Sequence, residues 1–268
     1  MSDLQQQATQ ARLKVLDLIY SAQTSHIGSC FSAIDIMAVL FDRADIIKDE
    51  VVLSAGWKAA AWYYFLWKKG IITEEELNSF CKEGSPFIGL VEPMNRWGLK
   101  LGTGSMGLGL PAAVGLALAK KLKGEDGKVY VLMSDGELQC GTTWESILIA
   151  GKEKLNNLVV IVDDNGCQAM GKTIFDIFGD SLTGFGRLGW KYIMTDGHDF
   201  KKMERHIIKQ ESAGQSIGIE WQTGEKPYLV FAKTVKGKGI KRFEGNNLYH
   251  YKQLSEEEYL EAKKELNG

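Results

Sequence analysis

Apolar residues recur along this chain with two different spacings, and the difference predicts where helices and strands lie. Many segments carry an apolar residue every three to four positions, which is typical of helices with one buried face. Segments with this spacing lie at 7–22, 32–41, 58–70, 109–124, 142–155 and 200–213. The sequences Thr-Glu-Glu-Glu at 73–76 and Ser-Glu-Glu-Glu at 255–258 each predict the capped start of a further helix.

Short continuous apolar runs predict buried strands. These runs lie at 51–54, 128–134, 157–164, 191–196 and 228–235, and from residue 128 onwards they alternate with helical segments. Continuous apolar strands that alternate with helices are typical of a parallel sheet. The sequence therefore predicts an α/β fold, a parallel sheet with helices on both faces, in a single domain over residues 1–268.

Composition and charge narrow the class of protein. The chain has 268 residues, 44% of them hydrophobic, and a net charge of −2, which gives no general attraction to nucleic acid or to anionic membranes. Its longest apolar stretch, at 108–119, is too short to span a bilayer. Four isolated cysteines and a polar start without a hydrophobic leader suit a reducing compartment. We therefore expect a cytoplasmic protein with neither a nucleic acid nor a membrane as partner.

Polar residues follow two consecutive predicted strands. One strand leads into Ser-Asp-Gly-Glu at 134–137, and the next ends in Asp-Asn at 164–165. Consecutive parallel strands end at the same sheet edge, where open α/β sheets bind ligands. The side-chain oxygens of Asp135 and Asn165, together with a main-chain carbonyl near Cys167, are ligands of the kind that magnesium prefers. The pattern indicates a divalent metal site at this edge.

Glycines near this edge indicate a diphosphate-binding loop, although other interpretations exist. Gly136 would let the main chain approach a diphosphate, and the helix that begins near Thr142 would direct its positive N-terminal end toward it. Asp-Gly is also common in turns, so these residues alone do not separate a binding loop from a turn. The glycine pattern at 102–107 fits a dinucleotide-binding motif, but the poor strand before it disfavours NAD.

Seven motifs occur in chain order: SHIGS (25–29), VVLSAG (51–56), GTGSMGLGL (102–110), SDGELQCG (134–141), VDDNGCQAMG (162–171), TDGHD (195–199) and KTVKGKG (233–239). Together they resemble the thiamine-diphosphate-dependent enzymes, and among them the N-terminal subunit of split transketolases. The resemblance implies the thiamine-diphosphate-binding fold. It also implies a transferase that moves a two-carbon ketol unit from a ketose, or a ketose phosphate, to an aldehyde.

The resemblance also implies which residues hold the metal and the diphosphate. Asp135, Asn165 and the main-chain carbonyl of Cys167 would bind Mg²⁺, or Ca²⁺ or Mn²⁺ in its place. Gly136 and Glu137 would lie against the diphosphate of thiamine diphosphate. These implied roles complete the metal–diphosphate site that the strand ends indicate.

Four further residues receive implied roles on the cofactor ring and the substrate. The main chain at Gly104 and Met106 would contact the aminopyrimidine ring of the cofactor. His26 and His250 would face the reacting sugar and act as catalytic residues. The substrate would be a small sugar.

The resemblance implies a partner chain. In the family, a carboxylate that acts on the pyrimidine ring comes from a second α/β domain, and 268 residues leave no room for it. We therefore expect a C-terminal transketolase subunit with the pyrimidine-binding and C-terminal domains, in an α2β2 heterotetramer of carbohydrate metabolism.

Three positions depart from the family pattern. Trp57 and Leu90 occur where the family has histidines, and Cys140 occurs where it has a glutamate. The loss of two imidazoles makes the expected channel bulkier and less polar. Two alternatives therefore stay open: a thiamine-dependent carboligase acting on an unusual sugar or 2-oxo acid, and a non-catalytic cofactor-binding subunit.

Overall fold

A five-stranded parallel sheet organises the residues that this computed structural model describes, which are 3–173, 182–210 and 225–268. The strands are β1 Glu50–Leu53, β2 Val129–Ser134, β3 Leu158–Asp164, β4 Cys167–Gln168, β5 Gly171–Lys172, β6 Lys191–Asp196 and β7 Tyr228–Lys233. The parallel sheet has the order β1-β2-β3-β7-β6, and β4 and β5 form a separate antiparallel pair. The five long strands match the predicted ones to within two residues at each end.

Helices precede, separate and follow the strands. They are α1 Asp3–Ser21, α2 Ile27–Arg43, α3 Ala59–Lys68, α4 Glu74–Asn78, α5 Gly109–Lys123, α6 Gly141–Lys152, α7 Leu182–Arg187, α8 Phe200–Met203 and α9 Glu256–Asn267. Short 3-10 turns lie at Gly56–Lys58, Asp135–Gln139 and Asn247–His250. The predicted capping boxes at the starts of α4 and α9 are confirmed. Among the helices of the described segments, none has the length and apolarity needed to cross a bilayer.

The sheet is buried on both faces, as the sequence predicts. Tyr130 and Leu132 of β2 belong to one core cluster, which also contains α1, α2 and α3. Val129, Val131 and Met133 of the same strand belong to a second cluster, which contains α5 and α6. Because successive residues of a strand point to opposite faces, the two clusters lie on opposite sides of the sheet. The α/β fold with helices on both faces is confirmed.

Two predicted helices differ in extent from the observed ones. Helix α2 begins at Ile27, five residues before its predicted start, so that His26 directly precedes a helix and does not lie in an open loop. The pattern missed this start because all residues from Ile27 to Phe41 are buried, so no polar face marks it. The helix predicted at 200–213 is four residues of α8 followed by a π-helical turn to Ile208, and positions 211–213 lie outside the described residues.

Close packing of the second core cluster depends on Gly151, in the last turn of α6. A Cβ atom at this position would lie 1.9 Å from the main-chain oxygen of Leu188. Gly115, in the interior of α5, is the opposite case, since nothing in the described residues lies within 4 Å of its added Cβ. The two glycines therefore form a matched pair for a test of this contact.

We expect Gly151→Ala to lower the free energy of unfolding by about 2 kcal/mol or more, because the helix and the Leu188 carbonyl must separate. Gly115→Ala is the control and should raise it by up to about 1 kcal/mol, since alanine has the higher helix propensity. Urea denaturation of both variants measures the two changes. Similar effects in the two variants would contradict the contact.

Candidate functional site

A cavity of about 260 Å³ lies at the carboxyl ends of β2 and β3. Seven of the predicted site residues line it: His26, Gly104, Met106, Gly136, Asn165, Cys167 and His250. The other two, Asp135 and Glu137, are fully buried beside it. A larger groove, of about 420 Å³, runs along the N-terminal helices, but it contains no predicted site residue.

The two polar strand ends meet because β2 and β3 are adjacent and in register. Ser134 pairs with Asp163 in the ladder, which brings the residues that follow each strand to the same edge. Gly166 N donates a hydrogen bond of 2.6 Å to Asp135 Oδ2 across this edge. The sequence-based expectation that the two segments come together is therefore correct.

Asp135 is held in place by main-chain donors. Besides Gly166 N at Oδ2, Gly136 N donates to Oδ1 at 2.8 Å. Burial raises the pKa of Asp135 to about 7, and the nearby carboxylates of Asp163 and Asp164 act in the same direction. A divalent cation would favour the ionised form, so the donor set suits a cation at this position.

Asn165 has a fixed side-chain orientation. Its amide nitrogen donates to Asp163 Oδ2 at 3.3 Å and to Ser32 Oγ at 3.4 Å, while its amide oxygen accepts from Cys167 N at 3.0 Å. The oxygen therefore lies on the side of the 166–167 loop that Asp135 also reaches. Within the described residues no three His, Cys, Asp or Glu side chains are grouped to hold a metal. The predicted set does not require one, because it consists of one carboxylate, one amide oxygen and one main-chain carbonyl.

The carboxylate of Glu137 lies away from the cavity. It accepts hydrogen bonds from Ser134 N at 2.9 Å, from Gly107 N at 3.3 Å and from Ser54 Oγ. Burial raises its pKa, and these hydrogen bonds act in the opposite direction. The side chain thus links the turn after β2 to the 102–107 loop. A contact between Glu137 and a diphosphate, which would involve the main chain of Glu137, stays a prediction.

The 102–107 loop, which contains Gly104 and Met106, packs tightly against the turn before α3. A Cβ at Gly56 would lie 2.2 Å from Thr103 O, so only glycine permits this approach. The side chain of Leu90 covers the outer side of the loop, 2.9 Å from where a Cβ at Gly104 would lie. The main chain of the loop thus forms one wall of the cavity.

The two predicted catalytic histidines are neighbours. His26 N donates to His250 O at 3.1 Å, and the two imidazole centroids are 5.1 Å apart in an edge-on arrangement. Burial, with Lys236 and Lys58 nearby, lowers the pKa of His26 to about 4 and that of His250 to about 3. Both imidazoles are therefore neutral near pH 7, and each can donate one hydrogen bond and accept one.

Lys236 lies beneath His250 and was not assigned a role from the sequence. Its Nζ donates to Asn247 Oδ1 at 2.9 Å and lies 2.7 Å from His250 Nδ1. Because an ammonium group only donates, Nδ1 of neutral His250 accepts and its proton resides on Nε2. Burial lowers the pKa of Lys236 to about 8, with Lys58 acting in the same direction. Its position inside the KTVKGKG motif gave no indication of this contact.

Lys58 and Asp163 form a buried ion pair that the sequence analysis also missed. Their side chains are 1% and 0% exposed, and Asp163 also accepts from Ser32 Oγ at 2.6 Å and from Thr234 Oγ1. Burial would raise the pKa of Asp163, but Lys58 and the two hydroxyls outweigh it, so the pKa lies below its ordinary value. One signal existed, because Lys58 is a lone charge in the apolar segment 57–67.

The three departures from the expected pattern have different surroundings. Trp57 lines the cavity itself. Leu90 covers the 102–107 loop, as described above. Cys140 lies behind that loop, where a Cβ at Gly107 would be 2.6 Å from Cys140 Cβ. Trp57 is therefore the departure with the most direct effect on the shape of the cavity.

Known proteins resemble this chain over nearly its whole length. The family described as "Transketolase, thiamine diphosphate binding domain" matches residues 4–267. An apulose-4-phosphate transketolase subunit of Phocaeicola vulgatus is 32% identical over 98% of this chain and 94% of the relative. A 6-deoxy-6-sulfo-D-fructose transketolase subunit of a Clostridium species is 30% identical over 98% of this chain and 96% of the relative.

A solved structure agrees with these matches. Transketolase from Campylobacter jejuni superposes with a TM-score of 0.87 at 27% identity. The match covers 100% of this chain but only 43% of that enzyme, so the chain spans less than half of the solved relative. Family match, relatives and fold agree, and the chain belongs to the transketolase family through its thiamine diphosphate binding domain.

Proposed function

We propose that this chain is the N-terminal, cofactor-binding subunit of a two-chain transketolase that transfers a two-carbon ketol unit from a ketose, or ketose phosphate, to an aldehyde. The observation that carries the proposal is the cavity at the ends of β2 and β3. There, Asn165, Cys167, Gly136 and the two neutral imidazoles of His26 and His250 line one space, which suits a metal, a diphosphate and a sugar. Two relatives that match over almost their full length are named as transketolase subunits, which supports the need for a partner.

The cofactor site follows from the main-chain and side-chain oxygens described above. Thiamine diphosphate, when bound, supplies the nucleophilic carbon with which the carbon–carbon bond next to a ketose carbonyl is broken and remade. Asp135, Asn165 and the carbonyl of Cys167 would hold a divalent ion such as Mg²⁺. Gly136, and Glu137 through its main chain, would lie against the diphosphate.

Further residues would orient the cofactor ring and the substrate. The main chain at Gly104 and Met106 lines the same cavity and would contact the aminopyrimidine ring. His26 and His250 would exchange hydrogen bonds with substrate hydroxyls, because a neutral imidazole offers one donor and one acceptor. Lys236 would keep His250 in the tautomer with the proton on Nε2, ready to donate.

The assembly and the location of the protein belong to the same proposal. We infer that the partner is a C-terminal transketolase subunit, in an α2β2 arrangement, and that this chain is a single diphosphate-binding domain. The names of two relatives support the partner, since both are called transketolase subunits and match this chain over almost their full length. Four free cysteines support a cytoplasmic location.

The substrate is proposed to be an unusual ketose. Trp57 replaces an imidazole at the cavity wall, and the relatives above are named for apulose 4-phosphate and for 6-deoxy-6-sulfo-D-fructose. A non-catalytic role is the weaker alternative, because Asp135, Asn165 and both histidines keep a coherent geometry around the cavity.

The proposed function is tested by reconstitution with the partner chain. We expect the mixture to bind thiamine diphosphate only with a divalent metal and to turn over at saturation near one to one, while this chain alone is inactive. Asp135→Asn, which removes a ligand charge, should weaken cofactor binding at least tenfold, about 1.4 kcal/mol, in calorimetry. Asp126→Asn, the same change in the loop before β2 and therefore at the opposite edge of the sheet, is the control and should have little effect. Full activity of the chain alone would contradict the proposal.

We expect the reconstituted enzyme to use a xylulose-phosphate type donor poorly. A substrate hydroxyl left without a partner costs about 1–3 kcal/mol, so two lost imidazoles lower kcat/KM by about 100-fold. Trp57→His combined with Leu90→His should recover a large part of this loss, whereas Leu108→His, outside the cavity lining, should not. A wild-type kcat/KM of about 10⁴ M⁻¹s⁻¹ or more for this donor would refute the altered specificity.

The buried state of His26 predicts a pH dependence of stability. The pKa of His26 falls from an ordinary 6.5 to about 4 on folding. Below pH 6.5, this imidazole therefore binds a proton in the unfolded chain but not in the folded chain, and the folded state loses stability. Between pH 7.5 and pH 5, the wild-type chain should therefore lose about 1–2 kcal/mol more stability than His26→Asn. Asparagine tolerates the left-handed backbone at this position, where φ is 72°. Urea denaturation at the two pH values measures the difference, and equal losses would show that His26 is not buried as described.

A further inference from the structure

Lys58 is a buried lysine in the lining of the cavity, and none of the expected roles uses it. It ends the short 3-10 turn before α3, and its side chain is 1% exposed. Its ammonium group pairs with Asp163, the penultimate residue of β3. Burying two charges is costly, and such a pair is often no better for stability than apolar side chains of the same size. The question is therefore what this pair does besides stabilising the fold.

Asp163 connects Lys58 to the proposed metal ligand Asn165. The Oδ2 atom of Asp163 accepts from Lys58, from Ser32 Oγ and from the amide nitrogen of Asn165. Its Oδ1 atom accepts from Thr234, just beyond β7. The carboxylate is thus held by residues of α2, of the turn before α3 and of the position after β7. Because its position is fixed, the amide nitrogen of Asn165 donates to an acceptor that does not move.

The orientation of the Asn165 amide decides whether it can bind a cation. A side-chain amide has one end that accepts and one end that donates, and only the oxygen end can coordinate a metal ion. The carboxylate of Asp163 offers acceptors only, so it selects the orientation in which the amide nitrogen faces inward. The amide oxygen then lies on the side of Cys167 N, at 3.0 Å, and of the loop that Asp135 contacts.

We propose that Lys58 is a positioning residue that, through Asp163, fixes the amide of Asn165 with its oxygen toward the divalent metal. The inference rests on the proposed function, in which Asn165 is a metal ligand. Outer partners of metal ligands commonly change metal affinity by about 10–100-fold when they are removed. The ion pair between Lys58 and Asp163 is an outer partner of this kind for Asn165. Its lysine comes from an apolar segment that is far from the metal motif in sequence.

Two double variants separate positioning from simple stabilisation. Lys58→Met with Asp163→Asn removes both charges but keeps a side-chain oxygen that can accept from the Asn165 amide. Lys58→Met with Asp163→Leu removes both charges and the acceptor. The reconstituted complex with its partner is titrated with Mg²⁺ at fixed thiamine diphosphate in calorimetry, and its thermal unfolding midpoint is recorded.

We expect the Asp163→Leu double variant to need at least 10-fold more Mg²⁺ for half-saturation. The Asp163→Asn double variant should need about 3- to 10-fold more Mg²⁺ than the wild type, because its amide keeps an acceptor for Asn165 but, without Lys58 and the carboxylate, no longer offers acceptors only. Arg12→Met is the control, because it breaks another buried ion pair, with Asp35 at 2.9 Å, that has no part in the Asn165 contacts above. It should lower the unfolding midpoint and leave the Mg²⁺ requirement unchanged.

Ser32→Ala is a milder variant that tests the inference even if the double variants do not fold. It removes the 2.6 Å bond to Asp163 and the 3.4 Å bond from Asn165. We expect it to raise the half-saturating Mg²⁺ concentration about threefold, less than full removal of the outer partner. Two results would overturn this inference alone. One is an unchanged Mg²⁺ requirement in Ser32→Ala, and the other is an equal Mg²⁺ requirement in the two double variants while the wild type still depends on Mg²⁺. A wild-type complex that binds the cofactor without Mg²⁺ would overturn the proposed function as well.

Discussion

Three carboxylates, Asp135, Glu137 and Asp163, are fully buried at one edge of the sheet, and the arrangement of the site follows from how each is satisfied. A buried charge is costly unless it is paired or hydrogen-bonded. Asp163 is paired with Lys58, and Glu137 accepts from Ser54, from its own turn and from the 102–107 loop. For Asp135, the hydrogen bonds found among the described residues come from two main-chain N–H groups. Asp135, whose hydrogen bonds come from main-chain donors alone, is thus the one in the position suited to a cation.

The same satisfied carboxylates build the cavity walls. Glu137 holds the 102–107 loop from behind, and the close approach of that loop at Gly56 completes the wall. Asp163 fixes Asn165 on the opposite side. The carboxylates of Glu137 and Asp163, which are not part of the cavity lining, thereby set the positions of the loop and the amide that line it. This division explains why the site can keep its metal-type geometry while Trp57 changes the wall of the cavity.

Much of the fold could be predicted because each element carries its own local signal. The five long strands were visible as apolar runs, and the capping boxes at Thr73 and Ser255 marked two helix starts. The start of α2 could not be found, because a helix buried on all sides has no polar face to reveal its period. The break of the helix after Met203 into a π-helical turn had no signal in the apolar spacing either.

The sequence by itself determined the parallel sheet, the adjacency of the two strand ends and the oxygen-rich residues that follow them, because spacing and strand order are properties of the chain. Only the tertiary structure decided which way those residues face. It turned Glu137 away from the cavity, placed Lys236 under His250 and joined Lys58 to Asp163 across 105 positions of sequence. Such pairings depend on burial, which makes an unpaired charge too costly to leave. The partner of each buried charge is decided only when distant segments pack together, so local sequence patterns do not identify it.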